Sequence, residues 1–362
     1  MEYNDTLLIP GQRIRPPVTE ETAVALLERL YGMKATSVRE LDAYDDRNYH
    51  VLCEETHANP HVASPEKAGY VLKVINSLDS RKTRVIEAQS ELMIFLNQQD
   101  VSCPLPVKNV NGAYFSLEKL RSDNTMERYA VRLLVYRPGE LLHRAKMTDE
   151  LLRRVGHFAA RIDGILAGFD HPAYHDHKTL WMLTSVPRVQ QFTYAVKSPL
   201  DRQLVHDVIQ SFQREVLSIT DRLEQGVIHG DLNEHNIIVN PNGEDVIAVI
   251  DFGDSHRTCR VFELAIALCY MILQAADVGM GKYVVEGYEK LRKLTDLEKK
   301  ILKVSVCARM CQSLVMGAYS HLHDPDNQYL LSTQKTGWTL LKRLWPMCQS
   351  DVMQAWGLIE AP

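Results

Sequence analysis

The 362-residue chain has no Gly-x-x-x-x-Gly-Lys-Ser/Thr sequence, which excludes a P-loop nucleotide site. It has no block of Lys and Arg, and its formal net charge is −5, which argues against nucleic acid as the main partner. Its seven cysteines include no Cys-x-x-Cys pair, and an odd number without paired spacing fits thiols in a reducing compartment. The start, Met1-Glu2-Tyr3-Asn4-Asp5, lacks a charged region followed by a cleavable apolar run. The longest apolar run, Leu264 to Leu273, is too short to cross a bilayer. Internal repeats and low-complexity segments are also missing. These absences lead us to expect a cytoplasmic protein with neither a membrane nor a nucleic-acid partner. With 45% hydrophobic residues there is ample material for a core, in one large or two ordinary domains.

What is present is concentrated in one stretch. Val227-Ile228-His229-Gly230-Asp231-Leu232-Asn233-Glu234-His235-Asn236 is followed by Val249-Ile250-Asp251-Phe252-Gly253-Asp254. Phosphoryl transfer is mostly a matter of positioning and charge neutralisation. One carboxylate must orient or accept the proton of the attacking hydroxyl, and we assign that to Asp231. Magnesium prefers hard oxygen ligands in near-octahedral geometry. An Asn carbonyl and an Asp carboxylate supply two, with phosphates and water completing the set; we assign these to Asn236 and Asp251. The same roles occur in the kinase pattern H-R-D-x-x-x-x-N and D-F-G, except that Gly230 stands in place of the Arg. Alone, His-Gly-Asp is an ordinary turn and Asp-Phe-Gly-Asp a strand exit. Together and in order, each after an apolar run, they imply a kinase-type phosphotransferase. Ile237-Ile238-Val239, then Pro241-Asn242-Gly243, then Val246 to Ile250 reads as a hairpin that brings Asn236 and Asp251 together.

The chain changes character near residues 137–139. Before that point, Thr19 caps a first helix with Glu20 and Glu21 in its first turn, an apolar stripe at Ala23, Leu26, Leu27 and Leu30, and Gly32 at its end. Strands are expected at Tyr49–Cys53, Gly69–Ile75, Pro106–Val110, Ala113–Leu117 and Tyr129–Tyr136, with one helix from Thr83 to Asn97. Afterwards helical periods dominate, at 148–167, 198–224, 259–275, 281–293 and 296–321. Pro199 and the Thr295-Asp296-Leu297-Glu298 capping box mark two helix starts. The expectation is an α+β, bilobal, protein-kinase-like fold. Residues 1–137 form a nucleotide-binding lobe, an antiparallel sheet with one key helix; residues 138–362 form a larger, mainly helical catalytic and substrate-binding lobe.

Lys73, inside the strand Tyr70-Val71-Leu72-Lys73-Val74-Ile75, matches the kinase lysine that contacts the α- and β-phosphates; a lysine on an edge strand facing solvent is the plainer alternative. Its expected carboxylate partner is Glu87, with Glu91 one turn further as the alternative. The loop over the phosphates is sought at Asp42 to Tyr49, which has no glycine, with Asn48 fixing its turn. The base is expected at Leu134-Val135-Tyr136, read by backbone groups. Nothing in those side chains distinguishes ATP from GTP.

Two other patterns fail on context. Ser64-x-x-Lys67, Ser122-Asp123-Asn124 and Lys335-Thr336-Gly337 follow the order of the serine β-lactamase motifs. Yet 69–75 reads as strand where the nucleophile should open a helix, and Trp338 to Trp345 has helical spacing where Lys-Thr-Gly should lie on a strand. His171, His175 and His177 lack a metal-ligand spacing and read as a polar loop.

With Gly230 in place of the kinase Arg, His229-Gly230-Asp231 with Asn236 and then Asp251-Phe252-Gly253-Asp254 resembles the aminoglycoside phosphotransferase and choline kinase superfamily. Within it, the segments Ser37 to Val51, Val131-Arg132-Leu133-Leu134, Arg309 to Met316 and Lys335-Thr336-Gly337-Trp338 are similar to the hydroxylysine kinase family. The resemblance implies GTP-dependent, Mg2+-assisted phosphorylation of the 5-hydroxyl of 5-hydroxy-L-lysine. It places Asp231 as the base, Asn236 and Asp251 on magnesium and Lys73 on the phosphates. A dibasic amino acid needs acceptors for its amines and a cation for its carboxylate, so Asp254, Arg309 and Trp181 are expected to meet the amine, the carboxylate and the aliphatic stem. Alternatives are a kinase of choline, homoserine, an aminoglycoside or methylthioribose that uses ATP, and a nucleotide-binding pseudokinase.

Overall fold

The structure is a computed structural model that describes residues 7–122, 125–325, 327, 330 and 333–359. The chain divides into two compact units, Met1–Pro138 and Gly139–Pro362.

In the first unit, helix α1 (Glu20–Tyr31) begins where the Thr19 hydroxyl accepts the Thr22 amide, and ends at Gly32 in a left-handed conformation. Five strands and a second helix follow in the order β1 (Ala35–Leu41), β2 (Arg47–Cys53), β3 (Tyr70–Val74), α2 (Thr83–Gln98), β4 (Pro106–Val107) and β5 (Ser116–Ser122), and β6 (Thr125–Val135) closes the unit. They build one antiparallel sheet in the order β1-β2-β3-β6-β4, with β5 also beside β6. The buried face of α1 joins Tyr49, Val51, Leu72, Val74, Val131 and Leu133 in one core. β5 is Ser116–Ser122 rather than the expected Ala113–Leu117, and β4 stops at Val107 rather than Val110. Two further features depart from expectation. β1 was not anticipated: its residues are all half-buried or exposed, so it lacks a clear apolar face. β6 begins four residues before Tyr129, because its outer half pairs with β5 through polar positions such as Glu118↔Tyr129 and Lys119↔Arg128.

The second unit starts with β7 (Glu140–Leu141), α3 (Asp149–Leu166) and α4 (Pro199–Glu215). The expected helix 198–224 breaks at Val216 into a 3-10 segment, Leu217–Arg222. β8 (Gln225–Ile228), β9 (Ile237–Val239), β10 (Val246–Val249) and β11 (His256–Cys259) come next, forming the ladders β10-β9-β7 and β11-β8. The rest is helical: α5 (Val261–Ala275), α6 (Gly281–Tyr288), α7 (Asp296–His323), α8 (Gln334–Leu344) and α9 (Gln349–Ala355). α7 opens on the anticipated capping box. By length and composition it could cross a membrane, but 83% of its apolar window is buried inside the fold, so it is a core helix. Gly337 lies on α8 and Ser64 in a loop, while Asp123 and Asn124 lie outside the described residues. All seven cysteines are free thiols.

Candidate active site

The site in the second unit is built on the loop between β8 and β9. β11 pairs with β8, setting His256 opposite Ile228. His229 is fully buried; its Nδ1 accepts the Asp231 amide at 3.2 Å, so Nε2 carries the proton and donates to the Ile250 carbonyl at 3.0 Å. Burial pushes the His229 pKa down, so the ring stays neutral. Gly230 has φ +83°, and a Cβ there would stand 2.5 Å from the Asp254 carbonyl oxygen. The close approach of the two loop backbones therefore requires a residue without a side chain. Glu263, on the first turn of α5 and 0% exposed, accepts the amides of both His229 and Gly230. Burial first, and Asp163 second, push its pKa well above the usual carboxylate range. Glu263 thus anchors the loop from beneath.

Asp231 emerges from this support held by three donors. Its Oδ2 accepts Asn236 Nδ2 at 2.8 Å and Asn233 Nδ2 at 2.7 Å, and its Oδ1 accepts Arg309 Nη2 at 2.7 Å. Because the Asn236 amide nitrogen is turned to Asp231, its carbonyl oxygen is the atom left to meet a cation. The β9–β10 hairpin pairs Ile237 with Val249, and the Ile250 amide donates to the Asn236 backbone carbonyl at 2.8 Å. This brings Asp251, the next residue, beside Asn236. Asp251 adopts a left-handed conformation (φ 59°, ψ 82°), and its Oδ1 accepts the Gly253 amide. Few Asp residues take this backbone, and here it turns the chain sharply at the end of the strand. Asn236 and Asp251 each carry side-chain oxygen, the donor type that suits magnesium drawing its other ligands from phosphate and water. Asp254 follows on the same turn; its charge is felt by Arg309.

In the first unit the register sets Asn48 opposite Lys73 and Lys73 opposite Arg132. Lys73 is 5% exposed, and its Nζ lies 2.9 Å from Asp46 Oδ2. Asp46 also accepts the Asn76 amide and Nδ2 through Oδ1. This corrects the expected partner: Glu87 is exposed on α2, and a carboxylate from the neighbouring hairpin lies against Lys73 instead. Asn48 is on β2 rather than in the loop, and its buried Oδ1 accepts no hydrogen bond, so it does not fix the turn. Leu134 is buried in β6 between β3 and β4. The Val135 and Tyr136 amides already donate to Leu105 and Gly69, so they do not offer the base the expected donors. The Tyr136 ring packs on His50, with centroids 4.2 Å apart.

Arg309 is the largest correction. It is 1% exposed and paired with Asp231, so it is not poised to receive a substrate carboxylate. Trp181 is half-buried; its carbonyl accepts Arg309 Nη1, and its ring covers the guanidinium at 5.3 Å. Asn233 and Asp46 were missed. Asn233 lies inside the quoted motif, and counting back from Lys73 across the β2–β3 pair would have pointed to Asp46. Among the described residues no three His, Cys, Asp or Glu side chains converge on a metal position.

A carboxylate fixed by three donors, with two oxygen-bearing side chains flanking an adjoining hairpin, has the groups to orient an alcohol and hold a divalent ion on a polyphosphate. The chain belongs to the phosphotransferase enzyme family, whose model matches residues 37–298. It is a small-molecule kinase with an alcohol group as acceptor. Hydroxylysine kinase from Xenopus laevis is 36% identical to it over 357 residues, 94% of each chain. The hydroxylysine kinase of Bos taurus is 32% identical over 354 residues, covering 94% of this chain and 93% of that one. Among solved structures, a microcompartment-associated aminopropanol kinase aligns with a TM-score of 0.69 at 19% identity, over 92% of this chain and 99% of the other. The fold is therefore the protein-kinase-like one expected, with an antiparallel sheet followed by a mainly helical part.

Proposed function

We propose that the protein transfers the γ-phosphate of GTP to the 5-hydroxyl of 5-hydroxy-L-lysine, in the cytoplasm. End-to-end similarity to hydroxylysine kinases supports the acceptor; the donor GTP rests on the family resemblance alone. The observation that carries the reaction is the arrangement around Asp231. Asn236 turns its amide nitrogen to the Asp231 carboxylate, which leaves its side-chain oxygen for a cation. Asp231 accepts the proton of the 5-hydroxyl as the oxygen attacks the γ-phosphorus, whose bond to the β,γ-bridging oxygen breaks to release GDP. Asn236 and Asp251 hold Mg2+, which neutralises the phosphate charge when bound. Lys73 contacts the α- and β-phosphates. Asp254 accepts an amine of the substrate.

The test is Asp231→Asn. A positioned base contributes about 10²–10⁴ in rate, so turnover should fall by that order while nucleotide binding persists. Parental turnover in the variant would remove Asp231 from the chemistry. A panel of 5-hydroxylysine, homoserine, choline, an aminoglycoside and methylthioribose, each with ATP and GTP, identifies acceptor and donor. Silence across the panel would favour a non-catalytic nucleotide-binding protein.

A further inference from the structure

Arg309 is a buried cation that the reading above leaves without a task. It lies midway along α7, between the rings of Trp181 and Tyr270, whose centroids are 5.3 and 5.4 Å from its Cζ. Its Nη1 donates to the Trp181 carbonyl at 2.9 Å and to Gln312 Oε1 at 3.0 Å. Gln312, one turn on, donates to the Leu180 and Met182 carbonyls at 2.6 and 3.1 Å. The guanidinium is thus fixed on its flanks before its Nη2 reaches Asp231.

We propose that Arg309 is a positioning residue: it sets the plane of the Asp231 carboxylate and ties the segment 180–182 to the catalytic loop. The inference rests on Asp231 being the base. An ionised carboxylate has about four acceptor sites. Asn233 and Asn236 fill those of Oδ2, and Arg309 takes one on Oδ1. The remaining Oδ1 site is the one that can receive an alcohol proton, and among the described residues only Arg309 restrains that oxygen. Without it the side chain, 19% exposed, is free to swing about its contacts to the two asparagines. Misplacement by about 1 Å lowers a rate on the order of 10²-fold. A direct role in substrate binding would need a guanidinium that reaches solvent, and this one is 1% exposed.

The experiment is a double-mutant cycle of Arg309→Met and Asp231→Asn, with Arg309→Lys as a second probe. Turnover, acceptor KM and nucleotide affinity are measured on protein shown to be folded by thermal melting. Arg309→Met should lower kcat about 10²-fold, leave nucleotide affinity unchanged, and add no further loss in the Asp231→Asn background. Arg309→Lys should recover part of kcat, since it keeps the charge but not the forked geometry. Equal losses in both backgrounds, a raised acceptor KM at unchanged kcat, or parental kcat in Arg309→Met would each overturn the proposal. Should Arg309→Met not fold, Arg309→Lys in the two backgrounds decides by the same comparison. Parental turnover in Asp231→Asn alone would instead remove the base, and the positioning role with it.

Discussion

Replacing Gly230 by Ala tests the packing that supports the loop carrying Asp231. The added Cβ would meet the Asp254 carbonyl oxygen at 2.5 Å and His256 Nδ1 at 2.9 Å, on a backbone at φ +83°. Neither neighbour can withdraw freely, because His256 Nδ1 donates to that same carbonyl at 2.6 Å and His256 is 1% exposed. A left-handed backbone costs an alanine roughly 1–2 kcal/mol. Relieving the overlap by backbone shifts costs about 1–3 kcal/mol more. The variant should therefore be roughly 2–5 kcal/mol less stable. At about 2–4 °C per kcal/mol for a unit of this size, Tm falls by roughly 4–20 °C. Turnover should drop as well, since Asp231 is the next residue and the displaced carbonyl belongs to the turn that carries Asp251. The assay is a thermal melt with a coupled measurement of nucleotide consumption. Gly164→Ala is the control: it is exposed on α3, and its added Cβ meets nothing within 4 Å. That variant should gain up to about 1 kcal/mol. A Gly230→Ala protein that melts and turns over like the parent would refute the steric reasoning.

Lys73→Met should raise the nucleotide KM and lower Tm, because it leaves Asp46 beside a neutral side chain. Adding Asp46→Asn should restore Tm without restoring KM; recovery of both would deny Lys73 a phosphate contact. Burial, helped by the nearby Asp231 charge, raises Glu234 to about 7. A carboxyl whose folded pKa is raised stabilises the fold fully below its unfolded value and loses that contribution as pH climbs through about 7. Glu234→Gln should therefore melt higher than the parent above pH 7, with the advantage shrinking on acidification toward pH 4.5; a gap independent of pH would contradict this.

The parts of the fold legible in the sequence were those with local signals. Thr19 and Gly32 marked both ends of α1, and the Thr295 box marked the start of α7. The hairpin turn at Pro241-Asn242-Gly243 placed Asn236 near Asp251. What escaped was set by distant partners. β1 is a strand because it hydrogen-bonds β2, not because its own residues alternate. Lys73 meets Asp46 through sheet register, which the choice of Glu87 on a helix ignored. Arg309 reaches Asp231 across 78 positions of chain, and no spacing rule announces such a pair. A cation suited a substrate carboxylate, but Arg309 is buried and already paired with Asp231.

The thiols make the two units separately observable. Cys103 is buried in the first unit and Cys307 in the second, and burial pushes each up to about 12. Thiol reagents attack the thiolate, so both should stay unmodified until their surroundings open. Cys348 is exposed and should be labelled at once. A mass-resolved labelling time course, with Cys348 as internal clock, would then read from one tube whether the two units melt in concert or in turn.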